Sequence, residues 1–244
     1  MIDRLRIWLR LAIEDVRFRI REIMRRGLRK LIEIAITDLD LMGSFRDVAS
    51  SAAFERENLA QVAHFKGRGD LFRYALGRVG NDGGLFLEFG VYKGDSINRL
   101  AALRPGVRWY GFDSFVGLPE AWTLGARAGA FSVAGKLPPV RDNVTLITGF
   151  FDQTLAPFAA AHRGSKVAFL HIDCDLYSAT KTIFAELGDM LQPGCIVLFD
   201  ELINYAGWQD GEYKALIEFA RENKRSFEYI GYVRTGSQVA VRLL

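Results

Sequence analysis

After Gly84 the chain settles into five short apolar runs, each ending where a polar or glycine-containing segment begins, with helical stretches between them. No other feature limits the possible folds so strongly. Strands buried on both faces read as continuous apolar runs, and helices between them make βαβ units around a parallel sheet. The runs cover residues 85–89, 107–112, 144–148, 167–172 and 195–199. Helices fit residues 96–103, 153–161, 177–191 and 212–222, the third stopping at Gln192, Pro193 and Gly194. Two last runs, 228–233 and 238–243, flank Thr235, Gly236 and Ser237 and predict an antiparallel hairpin at the sheet edge. The expected fold is α/β: a Rossmann-like, doubly wound, seven-stranded, mostly parallel sheet with a C-terminal antiparallel hairpin and an N-terminal helical arm. The boundaries expected are 1–50 for the arm and 51–244 for a catalytic domain.

With 244 residues, half of them hydrophobic, one sizeable core can close. The formal charge of +3 gives no global reason to expect nucleic acid as a partner. Charge is unevenly spread, however: residues 1–36 carry ten Lys or Arg against five Asp or Glu, so the basic excess lies in the arm. There Leu5, Leu9, Ala12, Ile13, Val16, Ile20, Ile23, Met24, Leu31, Ile34 and Ala35 fall on one side of a helix, with Gly27 a candidate break. Such a stripe packs on the protein's own body or on a second subunit, giving a homo-oligomer, or lies on an anionic membrane surface. Residues 43–80 read as mixed helix and loop. Cys174 and Cys195 form no C-x-x-C pair and nothing resembles a signal peptide, so a cytoplasmic, reducing compartment is the simplest expectation. Charges interrupt every stretch that approaches the roughly 20 apolar residues of a membrane span.

Ligands of doubly wound sheets bind beyond the carboxyl ends of the strands. Here those positions hold Glu88 to Ser96, Asp113, Gly149, Asp173 to Tyr177, Asp200 and Glu201, an unusual density of acid. The loop around Gly90 and Gly94 lets backbone approach a ligand before a helix begins, and Asp113 follows at the offset of an acid that holds a ribose. Each has a plainer reading: Glu88 as a buried paired carboxylate, Asp113 as a helix cap. Asp173 and Asp175 share a face if the strand continues, and Asp200 and Glu201 end the next strand. Four crowded carboxylates repel one another unless a cation, a proton or a donor compensates, and an all-oxygen set favours Mg²⁺ over Zn²⁺. His171 shares parity with Asp173, as a base or as a hydrogen-bonded core residue. Trp122, Tyr205 and Trp208 wall a pocket or cover the core.

The segments LEFGVYKGDS, GFDSFVGLPEAW, NVTLITGFFDQTL, HIDCDLYSAT, VLFDE and GWQDGEYKA, in that order from about Gly84 onward, resemble the macrocin O-methyltransferase-like family of class I S-adenosylmethionine-dependent methyltransferases. The resemblance implies that Glu88, Gly90 and Ser96 approach the methionine part of the cofactor. It also implies that Asp113, with Ser114 beside it, takes the ribose hydroxyls, and that Gly149 and Phe150 border the adenine. Asp173, Asp200 and Glu201 match the family's Mg²⁺ ligands, Glu201 standing where sugar-modifying members have a second Asp. Asp175 matches the second acid of a D-x-D-x-Y stretch, the candidate general base. The implied activity is methyl transfer to a hydroxyl of a diol-bearing small molecule such as a sugar or glycosylated natural product. The glycine turn and ribose acid also suit an NAD-dependent oxidoreductase, and the arm suits a membrane-surface or scaffold protein with a vestigial pocket.

Overall fold

The computed structural model describes the backbone of residues 2–80, 83–122 and 125–244, and side chains from residue 19 onward within those ranges. The chain forms two compact units, residues 1–46 and 47–244. In the first, helix α1 (Ile2–Thr37) runs through Gly27 without the expected break. A mid-helix glycine costs only about 1 kcal/mol relative to alanine, too little to end a helix whose other residues favour it. The break falls at Asp38 instead, whose Oδ1 accepts the backbone N–H of Leu41 at 2.9 Å and so starts helix α2 (Leu39–Phe54). Of the arm's apolar stripe, Ile20, Ile23, Met24, Leu31 and Ile34 are exposed. Leu5, Leu9, Ala12, Ile13 and Val16 lie outside the described side chains.

In the second unit eight strands are seen among the described residues: β1 (Ala63–Phe65), β2 (Leu85–Phe89), β3 (Trp109–Asp113), β4 (Val144–Thr148), β5 (Val167–Ile172), β6 (Ile196–Phe199), β7 (Phe227–Val233) and β8 (Val239–Leu243). They form one sheet in the order β1-β7-β8-β6-β5-β2-β3-β4, parallel except for β8. Two expectations are corrected. The sheet has eight strands, not seven, because β1 hides in the stretch read as helix and loop; three residues are too few to show an alternation. The hairpin is not the edge either, since β8 inserts between β6 and β7 and β1 pairs outside β7.

Helices α3 (Arg68–Gly77), α4 (Asp95–Leu103), α5 (Phe151–Ala161), α6 (Tyr177–Leu187) and α7 (Glu212–Glu222) complete the unit. Helix α6 ends four residues earlier than its pattern suggests, tightening into a 3₁₀ turn over Gly188–Met190 ahead of Pro193. The helices cover both sheet faces. Phe158 of α5, Phe184 of α6 and Phe219 of α7 pack with Phe89, Leu170 and Phe199 on one face. On the other, Leu71 and Phe72 of α3 and Ile97 and Leu100 of α4 pack with Phe86, Trp109 and Phe169. Strand order reverses between β3-β2 and β2-β5, which opens a crevice at the carboxyl ends of these strands. Gly90 makes that crevice possible. At φ 89° a side chain is strained, and a Cβ there would run into the carbonyl of Asp173.

Candidate active site

A cavity of about 620 Å³ opens at these strand ends, between the loops after β2, β3, β4, β5 and β6. Its first half is built around Asp113. Its Oδ2 accepts the N–H groups of Val91 at 2.9 Å and Tyr92 at 2.7 Å, and Oδ1 accepts that of Phe115 at 2.7 Å. Tyr92 and Phe115 reach it in left-handed conformations, φ 49° and 56°. Such strain persists only where surrounding structure compels it. Asp113 therefore caps no helix; it ties the loops after β2 and β3 together while facing the cavity. Ser114 donates its hydroxyl to the Gly117 carbonyl at 3.0 Å and lines the same wall. Gly149, at φ 140°, and Phe150 lead into α5 and line the cavity too.

Gly90 and Ser96 border the cavity, but Glu88 does not. Glu88 is fully buried with both oxygens engaged: Oε1 accepts the Ser96 hydroxyl at 2.9 Å and Oε2 meets His171 Nδ1 at 3.0 Å. The paired-carboxylate reading of Glu88 describes its surroundings. His171 is equally buried and lies beside, not in, the cavity. Burial opposes a charge on its ring, yet the neighbouring carboxylates of Asp200 and Glu88 outweigh burial and push its pKa up to about 10. The imidazole stands between two carboxylates, its Nε2 3.8 Å from Asp200 Oδ1.

The second half of the cavity is an acid cluster. Asp175 adopts φ 66°, so the extended backbone assumed from sequence does not continue past β5. The turn nonetheless brings carboxylate oxygens of Asp173, Asp175 and Glu201 within 4.8 Å of one another, and those of Asp173 and Asp200 equally close to a His171 nitrogen. Burial, then the charge of Asp200, pushes Asp173 up to about 8 and Asp175 up to about 6. Burial and the neighbouring Glu212 drive Glu201 well above the usual carboxylate range. Asp200 is the exception. Burial raises it, but His171, a hydrogen bond from Gln238 Nε2 at 3.1 Å and the Arg68 guanidinium at 3.7 Å hold it low. Asp173, Asp175 and Glu201 line the cavity, with Asp200 behind them.

Buried atoms left without a hydrogen bond include Asp200 Oδ1, Glu201 Oε2, Glu212 Oε1, His171 Nε2 and Tyr205 Oη. Sequence reading assigned no part to Arg68, Gln238 or Glu212. Glu212, fully buried at the start of α7, approaches the backbone N–H of Glu201 with Oε2 at 3.4 Å. Its sequence signals are its place in the GWQDGEYKA segment and at the start of the helix expected over 212–222. Cys174 turns its sulfur toward Thr180. Of the three loop aromatics, Trp122 lines the cavity and stands 6.2 Å from Tyr205. Trp208 is buried against Phe54, donating to the Asp47 carbonyl at 3.0 Å and to Ser50 Oγ at 2.9 Å, and so fastens the loop after β6 to the end of α2.

A family described as a methyltransferase domain matches residues 87–202, the segment from β2 to just beyond β6. Among solved structures, the calicheamicin methyltransferase CalS11 is 25% identical over 72% of this chain and 78% of its own, with a TM-score of 0.60. An apo structure of CalS11, described as a TDP-rhamnose 3'-O-methyltransferase, is 24% identical over the same shares, with a TM-score of 0.52. The O-methyltransferase NovP is 21% identical, again over 72% of this chain and 78% of its own, with a TM-score of 0.54. No curated protein sequence matches the chain.

Proposed function

We propose that this chain, which carries a methyltransferase domain, is a class I S-adenosylmethionine-dependent methyltransferase of the macrocin O-methyltransferase-like type and that it methylates a hydroxyl of a diol-bearing small molecule with the help of a divalent cation. The observation that carries this reading is the joining, in one cavity, of a carboxylate held by three backbone amides with a cluster of carboxylates that keep bare oxygens.

S-adenosylmethionine, when bound, supplies an activated methyl group on a sulfonium centre. Asp113 is preorganised to accept two ribose hydroxyls, since its amide bonds fix the carboxylate before any ligand arrives. Gly90 and Ser96 border the methionine side and Gly149 and Phe150 the adenine side, with Ser114 next to Asp113. Glu88 acts from behind, by holding Ser96.

The donor set fits a hard cation. The acid cluster offers carboxylate oxygens: two of them, on Asp200 and Glu201, are buried without a hydrogen bond, and Asp173 lies in both close groups. Asp173, Asp200 and Glu201 would hold Mg²⁺, which supplies the positive charge that favours an ionised substrate hydroxyl. Asp175 faces the same cavity and takes the hydroxyl proton, while Trp122 and the loop after β3 shape the acceptor's berth. A pair of neighbouring oxygens is what such a cluster selects, which a sugar or a glycosylated natural product provides. CalS11 is described as a TDP-rhamnose 3'-O-methyltransferase and NovP as an O-methyltransferase, and the likeness to CalS11 supports a sugar-bearing acceptor here.

The methyltransferase domain displaces the NAD-dependent oxidoreductase and vestigial-pocket readings. Both cysteines are free and buried, which suits a cytoplasmic enzyme. No helix among the described residues is long and apolar enough to cross a membrane. The exposed apolar face of α1 supports self-association, or contact with an anionic membrane surface through its arginines. Methyl transfer to a panel of diols, with and without chelator, tests the reading, together with calorimetry on Asp113→Ala. Activity lost on chelation and cofactor binding lost in the variant are expected; cofactor binding untouched by the variant would overturn it.

A further inference from the structure

Behind the cavity wall, a line of four side chains, two of them on neighbouring strands, joins its two halves. Ser96, in the first turn of α4, donates to Glu88 on β2 at 2.9 Å. Glu88 meets His171 on β5 at 3.0 Å, and His171 approaches Asp200, at the end of β6, at 3.8 Å. β2, β5 and β6 are adjacent in the sheet, and Glu88 and His171 are register partners. His171 and Glu88 are wholly buried, Ser96 and Asp200 nearly so. Phe72 holds the imidazole edge-on at a ring distance of 5.2 Å, which leaves Nδ1 directed at Glu88 and Nε2 at Asp200.

Resting on the function proposed above, we propose that His171 is a positioning residue through which cation binding at Asp200 and cofactor binding at Ser96 strengthen each other. The link from His171 to Asp200 is the loose one, because Nε2 and Oδ1 are too far apart for a hydrogen bond and both lack any other. A cation that orders Asp200 fixes the partner of Nε2, and with it the ring, Glu88 and the Ser96 hydroxyl. The ordering of those groups is then no longer charged against the cofactor, and linkage makes the effect reciprocal. Direct repulsion between a sulfonium and a divalent cation acts with the opposite sign, so a positive coupling is diagnostic of the buried line. An isolated core histidine would stabilise the fold and couple nothing.

The test is calorimetric titration of the full chain with S-adenosylmethionine at zero and saturating Mg²⁺, and with Mg²⁺ at zero and saturating cofactor. Wild type is expected to show each ligand tightening the other by the same factor, about 5-fold or more. His171→Asn keeps a donor near the Nδ1 position and loses the reach to Asp200. His171→Gln reaches toward Asp200 and gives up Glu88. The first is expected to weaken Mg²⁺ with cofactor affinity alone preserved, the second to weaken the cofactor with Mg²⁺ alone preserved, and both to abolish the coupling. A purely structural role would lower both affinities together, or neither. Coupling that is absent or negative in wild type, or that survives in both variants, overturns the proposal while leaving the proposed activity standing. If either variant fails to fold, the wild-type titration decides. A wild type that binds neither ligand sinks the function and this inference together.

Discussion

The two halves of the cavity handle negative charge in opposite ways. At the ends of β2 and β3, Asp113 has its charge met by three backbone N–H groups supplied by the protein itself. At the ends of β5 and β6, Asp173, Asp175 and Glu201 are pushed upward by burial and by one another, and bare oxygens remain on Asp200 and Glu201. The first half carries its own donors; the second, on the function proposed above, awaits a cation. Backbone amides can be aimed permanently because turns hold them, whereas crowded carboxylates need a cation or a proton to offset their repulsion.

The contrast fails altogether if the halves are forced apart, so the largest effect is expected at the residue between them. Gly90→Ala places a methyl group against the Asp173 carbonyl at a positive φ, and a loss of more than about 3 kcal/mol should follow, read as a collapsed urea midpoint. Next comes Asp113→Asn, which removes the charge that three amides address. Cofactor affinity should fall by about 100-fold, with about 2 kcal/mol of stability lost even in the absence of ligand. The opposite half should respond with the opposite sign. Glu201→Gln relieves repulsion in the metal-free protein, so its melting temperature should rise by about 3 °C while Mg²⁺ affinity and turnover drop. A fall in melting temperature for Glu201→Gln would mean that its charge is already compensated and would erase the difference between the halves. Smallest is the effect of Mg²⁺ on the melting temperature of Asp113→Asn, which should match its effect on wild type to within about 1 °C, since the cation addresses the other half.

Much of the first half could be read from the chain, because its signals are local. The runs at 85–89, 144–148 and 167–172 coincide with β2, β4 and β5, and Asp113 stands out by its spacing from Gly90. The acids of the second half were visible as residues, but their partners were not. Arg68 and Gln238 reach Asp200 from segments far away in sequence, and Glu212 looks like any acidic residue opening a helix. Periodicity reports which face a side chain takes; it is silent on which distant charge meets it. The same limit hid Glu88, whose position at a strand end suggested a ligand contact while its parity turned it toward His171. Strand β1 was lost for another reason, its pairing with β7 rather than its own three residues making it a strand.

Anomalous scattering from Mn²⁺ in crystals grown with S-adenosylhomocysteine would test the central claim most directly. The account predicts one strong peak enclosed by carboxylate oxygens of Asp173, Asp200 and Glu201, with the ribose on Asp113 in the same cavity. A map with no peak there, or one in which the carboxylates are satisfied by protein donors and turn away from the cavity, would contradict it.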